Sequence, residues 1–252
     1  MTAVNGLAVL LLAHGSPDSP EDVPEFLKRI TGGRPMPDAV VTEVKHRYGL
    51  IGRSPLTEIT LRQGRSVQQL TGLPTYVGMR NWKPFVGDVV AQMARDGVRK
   101  AIAVCLAPQN SRTSVGLYRQ SLGTPPFAVD FVENWHDHPL LIRAFAEKLD
   151  TGWKTACAEA ATLVTVIFTA HSVPRRTIEE GDPYQAQAKE TAAMVAMQVP
   201  ALNVDDWSFA YQSQGMSGGE WLGPTVESVI ALAAMAIPHG SDRIWMAVIT
   251  AS

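Results

Sequence analysis

Short apolar runs rich in Val, Ile, Leu and Ala alternate along this chain with segments of helical periodicity, and that alternation restricts the fold more than any other feature. A strand that is apolar at every position must be buried on both faces, which a parallel sheet covered by helices provides. The runs at residues 7–13, 75–79, 100–107, 127–132, 163–170, 207–212 and 243–250 are predicted as strands. Helices are predicted from Ser19-Pro20-Glu21-Asp22, where a capping serine, a proline and early acids favour initiation, and at 38–50, 55–70, 84–96, 114–122, 138–149, 184–197 and 225–235. The expected class is α/β.

The first strand ends in Leu12-Ala13-His14-Gly15-Ser16-Pro17, and Thr169-Ala170-His171-Ser172-Val173-Pro174 echoes it at the end of a later strand. Each copy stands where a βαβ series begins, so a domain boundary is expected near 150–160, giving lobes 1–150 and 151–252. A chain of 252 residues, 46% hydrophobic, can bury two such cores.

A formal net charge of -2 lacks the basic excess that nucleic acid or anionic membranes attract, so nucleic acid is not expected as a partner. Only Cys105 and Cys157 are present, too few for a cysteine-built metal site, and a reduced cytoplasmic protein is expected. The start carries no basic segment before its apolar run, and no apolar stretch approaches the ~20 residues of a bilayer span. At most a peripheral membrane contact is expected.

In open α/β sheets ligands bind beyond the carboxyl ends of the strands, where His14 and His171 fall. Imidazoles there suit a divalent metal or a proton transfer, or else each is a turn residue bonded to its own loop. Lys45 to Leu56, with Arg34 upstream, is either a carboxylate-binding cluster or a solvated helix face. Gly215-Met216-Ser217-Gly218-Gly219 fits a G-x-S-x-G nucleophile elbow, but no histidine follows the last acid, so a flexible loop is the better reading.

In order along the chain stand Leu11-Leu12-Ala13-His14-Gly15-Ser16-Pro17; His46-Arg47-Tyr48 with Ile51-Gly52 and Ser54-Pro55-Leu56; Tyr76-Val77-Gly78-Met79-Arg80; Leu106-Ala107-Pro108 with Ser114 and Tyr118; Thr169 to Pro174; Gly181-Asp182-Pro183-Tyr184; and Tyr211 to Gly215 with Trp221-Leu222-Gly223-Pro224. Through these segments, to about Val229, the chain resembles the ferrochelatase family. The resemblance implies two Rossmann-like lobes, the second incomplete, with a porphyrin in the cleft and ferrous iron inserted into it. No prosthetic group is implied; Fe2+ is a substrate. His171 matches the family's essential histidine, as proton acceptor or metal-delivering residue. His14, Arg34, Arg47, Ser54, Arg80, Ser114 and Tyr118 match porphyrin-binding positions, and His14 is a second metal-ligand candidate.

There are departures. Gln109 follows Leu-Ala-Pro where histidine is frequent, and His14 resembles the Ala-His-Gly-Ser start of sirohydrochlorin chelatases. Residues 235–252 contain no Asp-His-x-Glu, the segment the family carries after its last strand. The abrupt fading of similarity leads to the expectation of a reading-frame change near Ala234 rather than a natural short form. The alternatives are a non-catalytic porphyrin-binding homologue and a sirohydrochlorin or cobalt chelatase; either coproporphyrin III or protoporphyrin IX fits as substrate.

Overall fold

Leu7–Ala13 (β1) reads LAVLLLA and has no face to offer water. Ala8, Leu10 and Leu12 are fully buried, and Val9, Leu11 and Ala13 nearly so. The computed structural model, which describes residues 6–52, 54–159, 164–214, 219–236 and 250–251, places this strand inside a four-stranded sheet. The order is β2 (Thr75–Met79), β1, β3 (Lys100–Cys105), β4 (Ala128–Val132), and every pairing is parallel. Because β2 and β3 flank β1, the winding reverses at β1, which makes its carboxyl end a switch point of the kind that holds ligands.

The helices that join these strands are α1 (Val23–Ile30), α2 (Asp38–Ile51), α3 (Leu56–Thr71), α4 (Val86–Arg95) and α5 (Val115–Ser121). The predicted start at Ser19 is a short 3-10 turn at Pro20–Asp22, its Ser19 amide and hydroxyl both donating to the Asp22 carboxylate at 3.1 and 2.9 Å. Gly64 lets α3 lie close to β2, since a Cβ there would come within 2.7 Å of Val77 Cγ2. Leu61 and Val67 of α3 then pack on Val9, Leu11, Ala13, Val77 and Met79. In contrast, α2 buries none of residues 38–50 completely.

A second sheet has the order β6 (Trp207–Gln212), β5 (Val166–His171), β7 (Thr250–Ala251), again parallel. With it go α6 (Pro139–Glu159), α7 (Arg175–Glu179), α8 (Tyr184–Met197) and α9 (Val226–Ala236). Ile142, Ala146 and Leu149 of α6 meet Val166 and Phe168 of β5 and Ala192, Val195 and Ala196 of α8. Ala170, Val173, Tyr184, Ala188, Tyr211 and Leu222 form a further buried group. The class is thus α/β with parallel sheets flanked by helices, as expected.

The chain forms two units, one of Met1–Leu106 with Gly116–Glu133, the other of Ala107–Val115 with Asn134–Ser252. Apart from residues 107–115, the second unit thus takes in the chain from Asn134 onward. The reason is α6, which was expected to stop at 149 but continues to Glu159, carrying Gly152 in its interior and committing Ile142, Ala146 and Leu149 to the second core. Residue 160 at the edge of the expected boundary region, Arg53, the strand at 243–249 and the Gly215–Gly218 part of the elbow pattern lie outside the described residues.

Candidate active site

In the first unit the loops after β1 and β2 are laced together: the Arg80 amide donates to Ala13 O at 2.9 Å and the Asn81 amide to His14 O at 3.0 Å. Gly15 between them has φ +82, and a Cβ on it would lie 2.9 Å from the Trp82 backbone nitrogen, so only glycine fits. His14 is exposed at the strand end, with Nδ1 2.9 Å from Gly15 O and its ring edge-on to Phe26 at 6.0 Å. The structure therefore realises the turn-residue geometry for His14 while leaving the ring at the surface.

Arg80 and Tyr118 are brought together, the guanidinium 5.7 Å from the ring centre. Burial lowers the Arg80 pKa, with Tyr118 acting the other way, and Arg80 Nε is buried without a hydrogen-bond partner. The same burial pushes the Tyr118 hydroxyl up, so it stays protonated. Cys105, at the end of β3, is pushed up to about 12 chiefly by burial, which keeps it a thiol and unsuited to metal or nucleophilic work.

Arg34, Arg47 and Ser54 lie in the segment from α1 to α3, each engaged locally. Arg34 Nε donates to Thr31 O at 3.0 Å, Arg47 Nε to Glu43 at 2.7 Å, and Ser54 Oγ accepts from the Leu56 amide at 3.3 Å. Both arginines are exposed, which leaves guanidinium edges for an incoming carboxylate. Ser114 directly precedes α5, the helix that carries Tyr118, and its amide closes a turn on Ser111 O at 3.1 Å.

His171 is the last residue of β5, exposed after five buried neighbours. Desolvation lowers its pKa, so the neutral ring with a free lone pair is favoured. The Ser172 amide donates to Gln212 O at 2.7 Å, Ser172 Oγ to Leu222 O at 3.0 Å, and the Tyr184 hydroxyl to His171 O at 2.9 Å. Tyr184 was not among the predicted site residues; its only sequence signal is its place in Gly181-Asp182-Pro183-Tyr184. Gln109 is buried and donates to Thr191 Oγ1 at 3.0 Å, so it braces α8.

Among the described residues, no three His, Cys, Asp or Glu side chains are grouped to hold a metal ion, and no helix is long and apolar enough to cross a membrane. These features define a parallel α/β protein with a histidine at or just past the end of a buried strand in each unit. A family model described as Ferrochelatase matches residues 6–242, beyond the Val229 limit of the motifs. A ferrochelatase of Acidobacterium capsulatum is 52% identical over 240 residues, covering 88% of this chain and 73% of its own length. One from Deinococcus radiodurans is 39% identical over 90% of this chain and 75% of its own length. A coproporphyrin III ferrochelatase of a Geobacillus species is 31% identical over 88% of this chain and 75% of its own length. The chain belongs to the ferrochelatase family of enzymes.

Proposed function

We propose that this chain inserts ferrous iron into a porphyrin, with His171 as the residue that accepts a pyrrole proton or passes on the metal. As iron enters, the macrocycle must release its two pyrrole protons, and a neutral imidazole is suited to take one. The observation that carries this reading is the place of His171 on the end of a buried strand, reached by solvent yet partly desolvated by its surroundings, which favours the neutral ring. Arg34, Arg47, Ser54, Arg80, Ser114 and Tyr118 bind the porphyrin, the arginines by pairing with its carboxylates. His14 is the second group offered to the metal. The two cysteines are free thiols, which agrees with a cytoplasmic enzyme.

The test is an anaerobic metallation assay with coproporphyrin III and with protoporphyrin IX, read by loss of the free-base absorption bands. His171→Ala should reduce turnover at least a hundredfold, in keeping with the ~10²–10⁴-fold worth of a positioned acid or base, while porphyrin still binds. Near-normal turnover in that variant would sink the assignment. Tight porphyrin binding by the unaltered chain with no metalloporphyrin formed would make it a porphyrin-binding protein instead.

A further inference from the structure

The Gly181-Asp182-Pro183-Tyr184 segment has no part in the function proposed above, yet it is bonded to the histidine at its centre. A side chain's direction at a strand end depends on the peptide plane that follows it, because nothing beyond holds ψ. Both polar atoms of the peptide unit joining His171 to Ser172 are anchored. Its carbonyl accepts from the Tyr184 hydroxyl at 2.9 Å and its N–H donates to Gln212 O at 2.7 Å.

The phenol is itself held from two directions. Its ring is buried, 6% exposed, against Ala170, Val173, Tyr211 and Leu222. Its backbone amide donates to Asp182 Oδ1 at 3.0 Å, capping the start of α8. The other carboxylate oxygen of Asp182 accepts from Ser111 Oγ at 3.1 Å and from the Arg112 amide at 2.8 Å. Burial keeps the tyrosine hydroxyl protonated, so it is a donor throughout the neutral range.

We infer that Tyr184 is a positioning residue for His171: its hydroxyl fixes the peptide plane that aims the imidazole, and Asp182 fixes the helix start from which that hydroxyl reaches. This role rests on His171 being the catalytic histidine. A misplacement of the order of an ångström costs up to ~10²-fold in rate, and loss of one anchor of two should cost less.

Tyr184→Phe removes the donor and keeps the buried ring. The expected result is a fall in kcat of about tenfold with KM for porphyrin unchanged, together with a displaced or broadened His171 ring signal in the NMR spectrum of histidine-labelled protein. A purely structural tyrosine would lower Tm and leave kcat and the His171 signal of the folded protein unmoved, and that result overturns the inference. Should Tyr184→Phe fail to fold, 4-aminophenylalanine at position 184 carries the test. Its weaker N–H donor should produce the same changes in smaller measure, and full kcat with an unmoved signal again overturns the role. His171→Ala separates the two claims: if it retains turnover, the catalytic reading of His171 is lost. If it is dead while Tyr184→Phe keeps full kcat and an unmoved signal, only the positioning role falls.

Discussion

Burial lowers the pKa of His171 from the ordinary histidine value, and this fixes the sign of a pH effect. A base must be unprotonated to act, so its rate falls as pH drops through its pKa. With the pKa lowered in the free protein, the acid limb of kcat/KM should lie below about 6.5, the value for a solvated histidine. A pH–rate profile checks this, and an acid limb at or above that value would show that another group limits turnover. For stability the sign agrees: the unfolded chain binds the proton more readily, so acidification through the ordinary pKa favours unfolding. The strand-end positions of His14 and His171 were legible in the sequence, because apolar runs followed by small polar residues mark where strands stop. That the phenol of Tyr184 reaches the carbonyl of His171 was not, since spacing along a chain does not tell where a buried side chain turns.

At the scale of elements, close packing of α3 on β2 depends on Gly64. A helix-interior glycine replaced by alanine ordinarily gains stability, by up to ~1 kcal/mol. Here the added methyl would come within 2.7 Å of Val77 Cγ2, on a stiff β-branched side chain in a central contact of the core. Gly64→Ala is therefore expected to destabilise the protein, by roughly 1–3 kcal/mol, measured by denaturant unfolding. Val77→Ala in the same chain should recover part of that loss by making room, and a stabilised single variant would refute the close contact. The strand β2 was read correctly at both ends, whereas α6 was expected to end ten residues earlier, at 149 rather than at Glu159. Gly152 lies inside the helix, and the buried Ala156 and the Lys154–Asp150 ion pair at 2.6 Å support continuation through it.

For the whole molecule, the second unit draws on segments that precede the sequence boundary expected at 150. A fragment of residues 151–252 would lack Ile142, Ala146 and Leu149, and also Ser111 and Arg112, which hold Asp182. The two larger apolar side chains and the alanine together are worth roughly 4–7 kcal/mol of burial, comparable with the whole stability of a domain, about 5–15 kcal/mol. That fragment should show no cooperative thermal transition by circular dichroism; a sharp melt would mean the second core closes without α6. What the sequence determined by itself is what local chemistry and periodicity encode: fully apolar strands that demand a parallel sheet, the alternation with helices, and histidines at strand ends. Only the tertiary structure decided which distant segments share a core, where the chain passes from one unit to the other, and which hydroxyl holds the plane of His171. Those depend on long-range packing and hydrogen-bond satisfaction, and no window of neighbouring residues contains that information.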